Sequence, residues 1–140
     1  MRLLITTPSA IAVDLGGVAA VRAEDESGEF GVLPRHADFV TALAVSVIGW
    51  RRESGEAGYC AVRGGLLTVA DGETVAVATR EAVTGDDLAT LEALVRRRLA
   101  AEAAEERQAS AHAEQLRVQA IRQIIGYLRP GPAALGGRWR

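Results

Sequence analysis

Between Asp86 and Ile125 the chain has neither a glycine nor a proline, although its 140 residues include 15 of the first and 4 of the second. Within that stretch Leu88, Leu91, Val95 and Leu99 step by three and four, the spacing of one helical face. Upstream the punctuation reverses. Gly16-Gly17, Glu26-Ser27-Gly28, Ser54-Gly55-Glu56, Gly64-Gly65 and Asp71-Gly72 separate short runs of β-forming residues. Two periods in one chain predict a two-part α+β protein. Residues 1–84 form an all-β sandwich, residues 85–130 a helical hairpin domain, and residues 131–140 a mobile tail beyond Pro130-Gly131-Pro132.

The β part has runs at 2–7, 11–13, 18–23, 39–43, 45–50, 59–62, 66–70 and 74–79. Many short strands at this spacing indicate a sandwich or barrel. The clearest hairpin is Leu66–Thr79, because Asp71-Gly72 supplies the positive φ that a type I′ turn requires. In the helical part, Thr84 and Asp87 have capping-box spacing. A second apolar stripe runs through Val118, Ile121, Ile125 and Leu128, and Ser110 is placed to cap a second, antiparallel helix. The Ala- and Glu-rich segment between the stripes equally permits one continuous rod, since its residues all favour helix.

Composition excludes several functions. A net charge of −2 argues against a general nucleic-acid binder. Every basic residue is arginine, so a phosphate-binding loop that needs lysine is ruled out. The single Cys60 excludes an intramolecular disulfide and reads as a small core residue. His36 and His112 have no partners at ligand spacing, so no metal site is expected. The N-terminal apolar run is cut by Thr6-Thr7-Pro8-Ser9 and is too short for a signal peptide. No segment approaches the ~18 apolar residues of a membrane span.

The most shaped stretch is Gly28–Leu43, GEFGVLPRHADFVTAL, which reads as a loop between strands. It offers turn geometry, one carboxylate, one phenyl ring and one imidazole, and no cluster able to run a reaction. This stretch also carries a resemblance. Gly28-Glu29-Phe30-Gly31-Val32-Leu33-Pro34, then His36-Ala37, is similar to the hallmark loop of the epsilon-subunit family of bacterial F-type ATP synthases, called delta in mitochondria. Tyr59–Val69 and Ala82–Leu88 match the same family in register.

The resemblance implies a non-catalytic rotor subunit of the central stalk. One side of its sandwich would grip the gamma shaft, and its loop would meet the membrane ring of c subunits. By position, Glu29, Phe30, Val32, Arg35 and His36 would form the ring contact. Arg35 departs from the family, which has glycine there. A positive φ at that position would cost about 1–2 kcal/mol.

Basic side chains on the family's C-terminal helices approach the beta and alpha subunits of the catalytic head and regulate hydrolysis. Here Arg96, Arg97 and Arg98 are the candidates, against a default of a solvated helix surface. Some members bind ATP through Asp-x-x-Arg-Ala. The aligned residues are Ala89, Glu92 and Ala93, so neither a nucleotide site nor any other cofactor is expected. The implied location is the cytoplasmic side of the bacterial inner membrane, peripheral and without insertion. The wording at Asp38-Phe39 and Ile48-Gly49-Trp50 fits a second, divergent ATPase and leaves proton or sodium open as the coupling ion. Two readings from other classes are a stand-alone adaptor and a small enzyme using His36. Co-purification distinguishes the first, and metal analysis with a search for a pocket at His36 distinguishes the second.

Overall fold

The computed structural model describes residues 1–128. Eight strands precede one helix: β1 Arg2–Thr6, β2 Ile11–Leu15, β3 Val18–Asp25, β4 Gly28–Val32, β5 Phe39–Arg52, β6 Ala57–Ala70, β7 Thr74–Ala78, β8 Ala82–Gly85 and α1 Leu88–Leu128. The hydrogen-bonded order is β2-β1-β7-β6-β5-β3-β4, with β8 also on β6. All pairs are antiparallel except β1–β7.

Two long strands serve both layers of the sandwich. Leu66–Ala70 of β6 pairs with β7, whereas Tyr59–Val62 pairs with β8. Between them Gly64 (φ 67°) and Gly65 (φ 113°) turn the strand without ending it, and the β5–β6 register stays continuous through the bend. The sequence reading splits each of these strands in two, β5 at Ala44 and β6 at Gly64-Gly65, where Gly-Gly reads as a stop. Here it is a bend, the corner by which one strand enters both sheets.

Alternation fills the core. Leu3 and Ile5 of β1, Val21 of β3, Ile48 of β5, Leu67 of β6 and Val75 and Val77 of β7 are all essentially inaccessible. Each such burial stabilises by about 1.5–3 kcal/mol. Aromatics are few, and two of them cover glycines. Trp50 lies opposite Gly58 and Tyr59 opposite Gly49, so close that a Cβ on Gly58 would stand 2.4 Å from the indole.

The Asp71-Gly72 turn is as the sequence predicts. Both residues have positive φ (56° and 65°), and the Glu73 N–H donates to the Ala70 carbonyl at 3.1 Å. Two local expectations are corrected. Gly28–Val32 is not loop but strand β4, paired with β3 from Val21–Val32 to Asp25–Gly28. Phe30 and Val32 supply its inward alternation, which its two glycines mask. The helix cap also moves. Thr84 lies in β8 opposite Cys60, and Asp87 is the cap, its carboxylate accepting from the Ala89 N–H at 3.2 Å and from the Thr90 hydroxyl.

The helical hairpin is replaced by the single helix α1, 41 residues long. Nothing from Asp86 to Ile125 breaks helical geometry, and the Ala, Glu, Arg and Gln segment propagates it. The chain divides into two compact units, Met1–Leu99 and a second from Ala100 onward. The first holds the sandwich with the opening turns of α1, anchored by Leu91, which is 4% exposed. In the second, Leu116, Ile121, Ile124 and Ile125 are all largely exposed. The tail expected at 131–140 lies outside the described residues.

Candidate functional site

Of the residues singled out in the glycine-rich stretch, Phe30, Arg35 and His36 gather around one turn and one ring, whereas Glu29 lies on β4 opposite Glu24 and Val32 is in the core. Leu33-Pro34-Arg35-His36 is a β-turn closed by the His36 N–H on the Leu33 carbonyl at 3.2 Å. Proline occupies its second position, and Arg35 its third, at φ 69°. That is type II geometry, which favours glycine in the third position. Arg35 therefore holds a backbone conformation costing about 1–2 kcal/mol.

Phe39 joins this turn to β4. Its ring meets Phe30 edge-on at 5.8 Å and the His36 imidazole at 4.9 Å. His36 Nδ1 lies 2.7 Å from the Ala37 carbonyl, which can only accept, so this nitrogen donates the hydrogen bond. His36 is exposed. Among the described residues no cluster of three His, Cys, Asp or Glu could hold a metal.

The five candidates differ in availability. Glu29, Arg35 and His36 are exposed, and Glu29 sits directly across from Glu24 on β3, like charge facing like. Phe30 is half-buried and packs on the core. Val32 is 0% exposed, so it cannot be a contact residue. Its place in the alternation of β4 turns it into the sandwich.

The arginine run is likewise divided. Arg98 pairs with Glu81, which also faces Arg63 at 3.7 Å, so this arginine ties α1 to the sandwich. Arg96 turns back on its own helix, its Nε 3.5 Å from the Glu92 carbonyl. Arg97 is exposed. Ala89 and Glu92 occupy the first turns of α1, the former bound through its N–H to the Asp87 cap. The Thr90 hydroxyl, and then the backbone, hold the Asp87 carboxyl below its ordinary range.

Sequence reasoning missed a groove of about 1000 Å³ between the outer face of the β3–β5–β6 layer and the opening turns of α1. Its floor includes Val47, Trp50 and Tyr59, its far wall Leu88, Val95 and Leu99. The alternation of Val45, Val47 and Gly49 with inward-facing Ser46 and Ile48 was the signal for it. Cys60 lies on the inner side of this layer, where burial pushes its thiol up to about 11.

Residues 1–85 match the family model for the beta-sandwich domain of the ATP synthase delta/epsilon chain. The chain is 42% identical over 130 residues to ATP synthase epsilon chain 2 of Paraburkholderia xenovorans, covering 93% of this chain and 94% of that one. It is 44% identical over 136 residues to ATP synthase epsilon chain 2 of Cereibacter sphaeroides, covering 96% and 92%. Among solved structures it resembles a chain of the Euglena gracilis mitochondrial ATP synthase, OSCP/F1/c-ring assembly (TM-score 0.56, 30% identity), over 59% of this chain and 51% of that one. A chain of the Tetrahymena thermophila mitochondrial ATP synthase central stalk and c-ring shares the fold (TM-score 0.52, 14% identity), over 59% of this chain and 65% of that one. This chain thus spans about half of the Euglena chain and two thirds of the Tetrahymena one. The sandwich with its shared long strands, the turn at Pro34-Arg35-His36 and the near full-length match to two bacterial relatives lead to one assignment: the chain belongs to the ATP synthase delta/epsilon chain family.

Proposed function

We propose that this epsilon subunit, a non-catalytic component of ATP synthase, couples the membrane rotor ring to the catalytic head by gripping the gamma shaft and presenting its Pro34 turn to the ring. The observation that carries the reading is the 42–44% identity to epsilon chains over nearly the whole chain, joined to an exposed turn held in a strained shape. The contact set is Glu29, Arg35 and His36. Phe30 supports them from beneath, and Val32 drops out. The charges suit the polar loops of a membrane ring, since Arg35 can pair with an acid and Glu29 with a base.

No helix among the described residues is long and apolar enough to cross a membrane. Attachment would run through partners, on the cytoplasmic side of a bacterial inner membrane. Two relatives carry the name epsilon chain 2, which supports placing this chain in a second ATP synthase of its cell. We assign Arg97 and the exposed apolar residues of the second half of α1 to the regulation of hydrolysis, against the beta and alpha subunits of the head.

The test is charge reversal at the turn. In vesicles reconstituted with the complete enzyme, Glu29→Arg with Arg35→Glu should reduce ATP-driven ion pumping while ATP hydrolysis continues. Pumping at the wild-type ratio to hydrolysis would overturn the ring contact. Truncation after Leu99, which keeps the compact unit that holds the sandwich, should raise hydrolysis. An unchanged rate would remove the regulatory role.

A further inference from the structure

The Pro34 turn does not stand by itself. We propose that the Asp71-Gly72 turn between β6 and β7 braces the Pro34 turn, and that Gly72 and Asp38 are positioning residues that clamp the Leu33–Asp38 loop in its docking shape. The inference rests on the ring-contact reading above and adds to it a second loop and two residues.

Two hydrogen bonds cross between the turns, one in each direction. The Arg35 N–H donates to the Gly72 carbonyl at 2.8 Å, and the Asp71 N–H donates to the Asp38 carboxylate at 2.8 Å. They bracket the loop, one near its start and one at its end. Between them the two backbones touch. A Cβ built on Gly72 would stand 2.7 Å from the Arg35 Cα and 3.1 and 3.2 Å from its carbonyl carbon and nitrogen. Gly72 is buried although it lies in a two-residue turn.

Gly72 therefore meets two demands. Its φ of 65° suits the type I′ turn, which an asparagine could also satisfy, and its missing side chain makes room for Arg35. The second demand concerns the loop alone. It also explains how Arg35 keeps a conformation that favours glycine: surrounding contacts over-determine it. The β6–β7 turn is tied directly into the sandwich, its Glu73 carbonyl accepting from the Arg2 N–H at 2.7 Å. A load on the Arg35 turn thus passes to β6, β7 and β1 without relying on the loop's own stiffness.

The experiment uses the full-length chain with Gly72→Ala, Gly72→Asn and Asp38→Ala, each measured two ways. Amide hydrogen exchange at Arg35 and Asp71 reads the clamp, and binding to the detergent-solubilised rotor ring of the same enzyme reads the docking. Arg35→Glu serves as the reference for loss of contact. Both Gly72 variants and Asp38→Ala should speed exchange at Arg35 at least tenfold, leave the exchange of Val75 and Val77 amides unchanged, and weaken ring binding at least fivefold. Should Gly72→Ala unfold the chain, Asp38→Ala, which adds no atoms, carries the test. Unchanged Arg35 exchange in all variants overturns the clamp. Faster exchange with wild-type ring binding, while Arg35→Glu does weaken binding, overturns the positioning role. If neither the clamp variants nor Arg35→Glu alters binding, the ring-contact reading fails, and faster exchange alone then supports only the clamp.

Discussion

Replacing Gly65 by alanine tests the corner on which the sandwich depends. At φ 113° an L-residue is strained, at about 1–2 kcal/mol. The new Cβ would also stand 2.0 Å from the Ala78 carbonyl oxygen and 2.9 Å from the Thr79 Cα, both backbone atoms of the β7 end. Relief requires β7 to separate from β6, an overpacking penalty of about 1–3 kcal/mol. Together the cost is about 2–5 kcal/mol, a large share of the roughly 5–15 kcal/mol that a domain possesses. For a unit of this size each kcal/mol lowers Tm by about 4–8 °C, so a fall of about 8–40 °C is expected. Gly64→Ala is the internal control. Its φ of 67° is strained, but its Cβ would lie 3.2 Å from the Leu43 carbonyl oxygen, so about 1–2 kcal/mol is expected. Thermal melts of both variants by far-ultraviolet circular dichroism decide the matter. A loss at Gly65 no larger than that at Gly64 would refute the view that the Gly65–Ala78 approach fixes the corner.

Other perturbations follow from single contacts. Arg35→Gly relieves the positive φ and should raise stability by up to about 1 kcal/mol after the flexibility of glycine is counted, as read by urea melts. Cys60, with its thiol at about 11, has roughly one part in a thousand as thiolate at pH 8, so a thiol reagent should label it only on unfolding; rapid labelling of the native chain would contradict its burial. Leu91→Ala should cost about 2–4 kcal/mol by removing the one buried side chain of α1, and urea melts would show it. The depressed Asp87 carboxyl contributes stability that is present above its unfolded value near pH 4 and lost as pH falls through its lower folded value. Acid titration of helix content should therefore lose a transition in Asp87→Ala.

The division of the chain into strands and helix was legible because the two periods do not overlap, and the Asp71-Gly72 turn because its φ demands are local. What misled were glycines whose meaning depends on distant contacts. Gly64-Gly65 bends β6 against the end of β7, and Gly28 and Gly31 flank an inward Phe30 in a strand rather than a loop. The positive φ at Arg35 was conditional on the family resemblance; its cause, the approach of Gly72, lies 37 residues away in sequence. Val32 shows the same limit from the other side, since nothing local separates an apolar residue of an exposed tip from one at the centre of the core. Helix against hairpin was open in the composition itself, because Ala and Glu support both.

The proposed function makes this chain a stalk subunit joined to both shaft and ring. Affinity purification of the full-length tagged chain from its own cells, followed by identification and quantification of what is bound, tests it most directly. Gamma, c, alpha and beta subunits should be recovered in fixed ratio, with Glu29→Arg and Arg35→Glu together lowering the c subunits relative to gamma. A chain recovered alone, or with partners foreign to an ATP synthase, would contradict it.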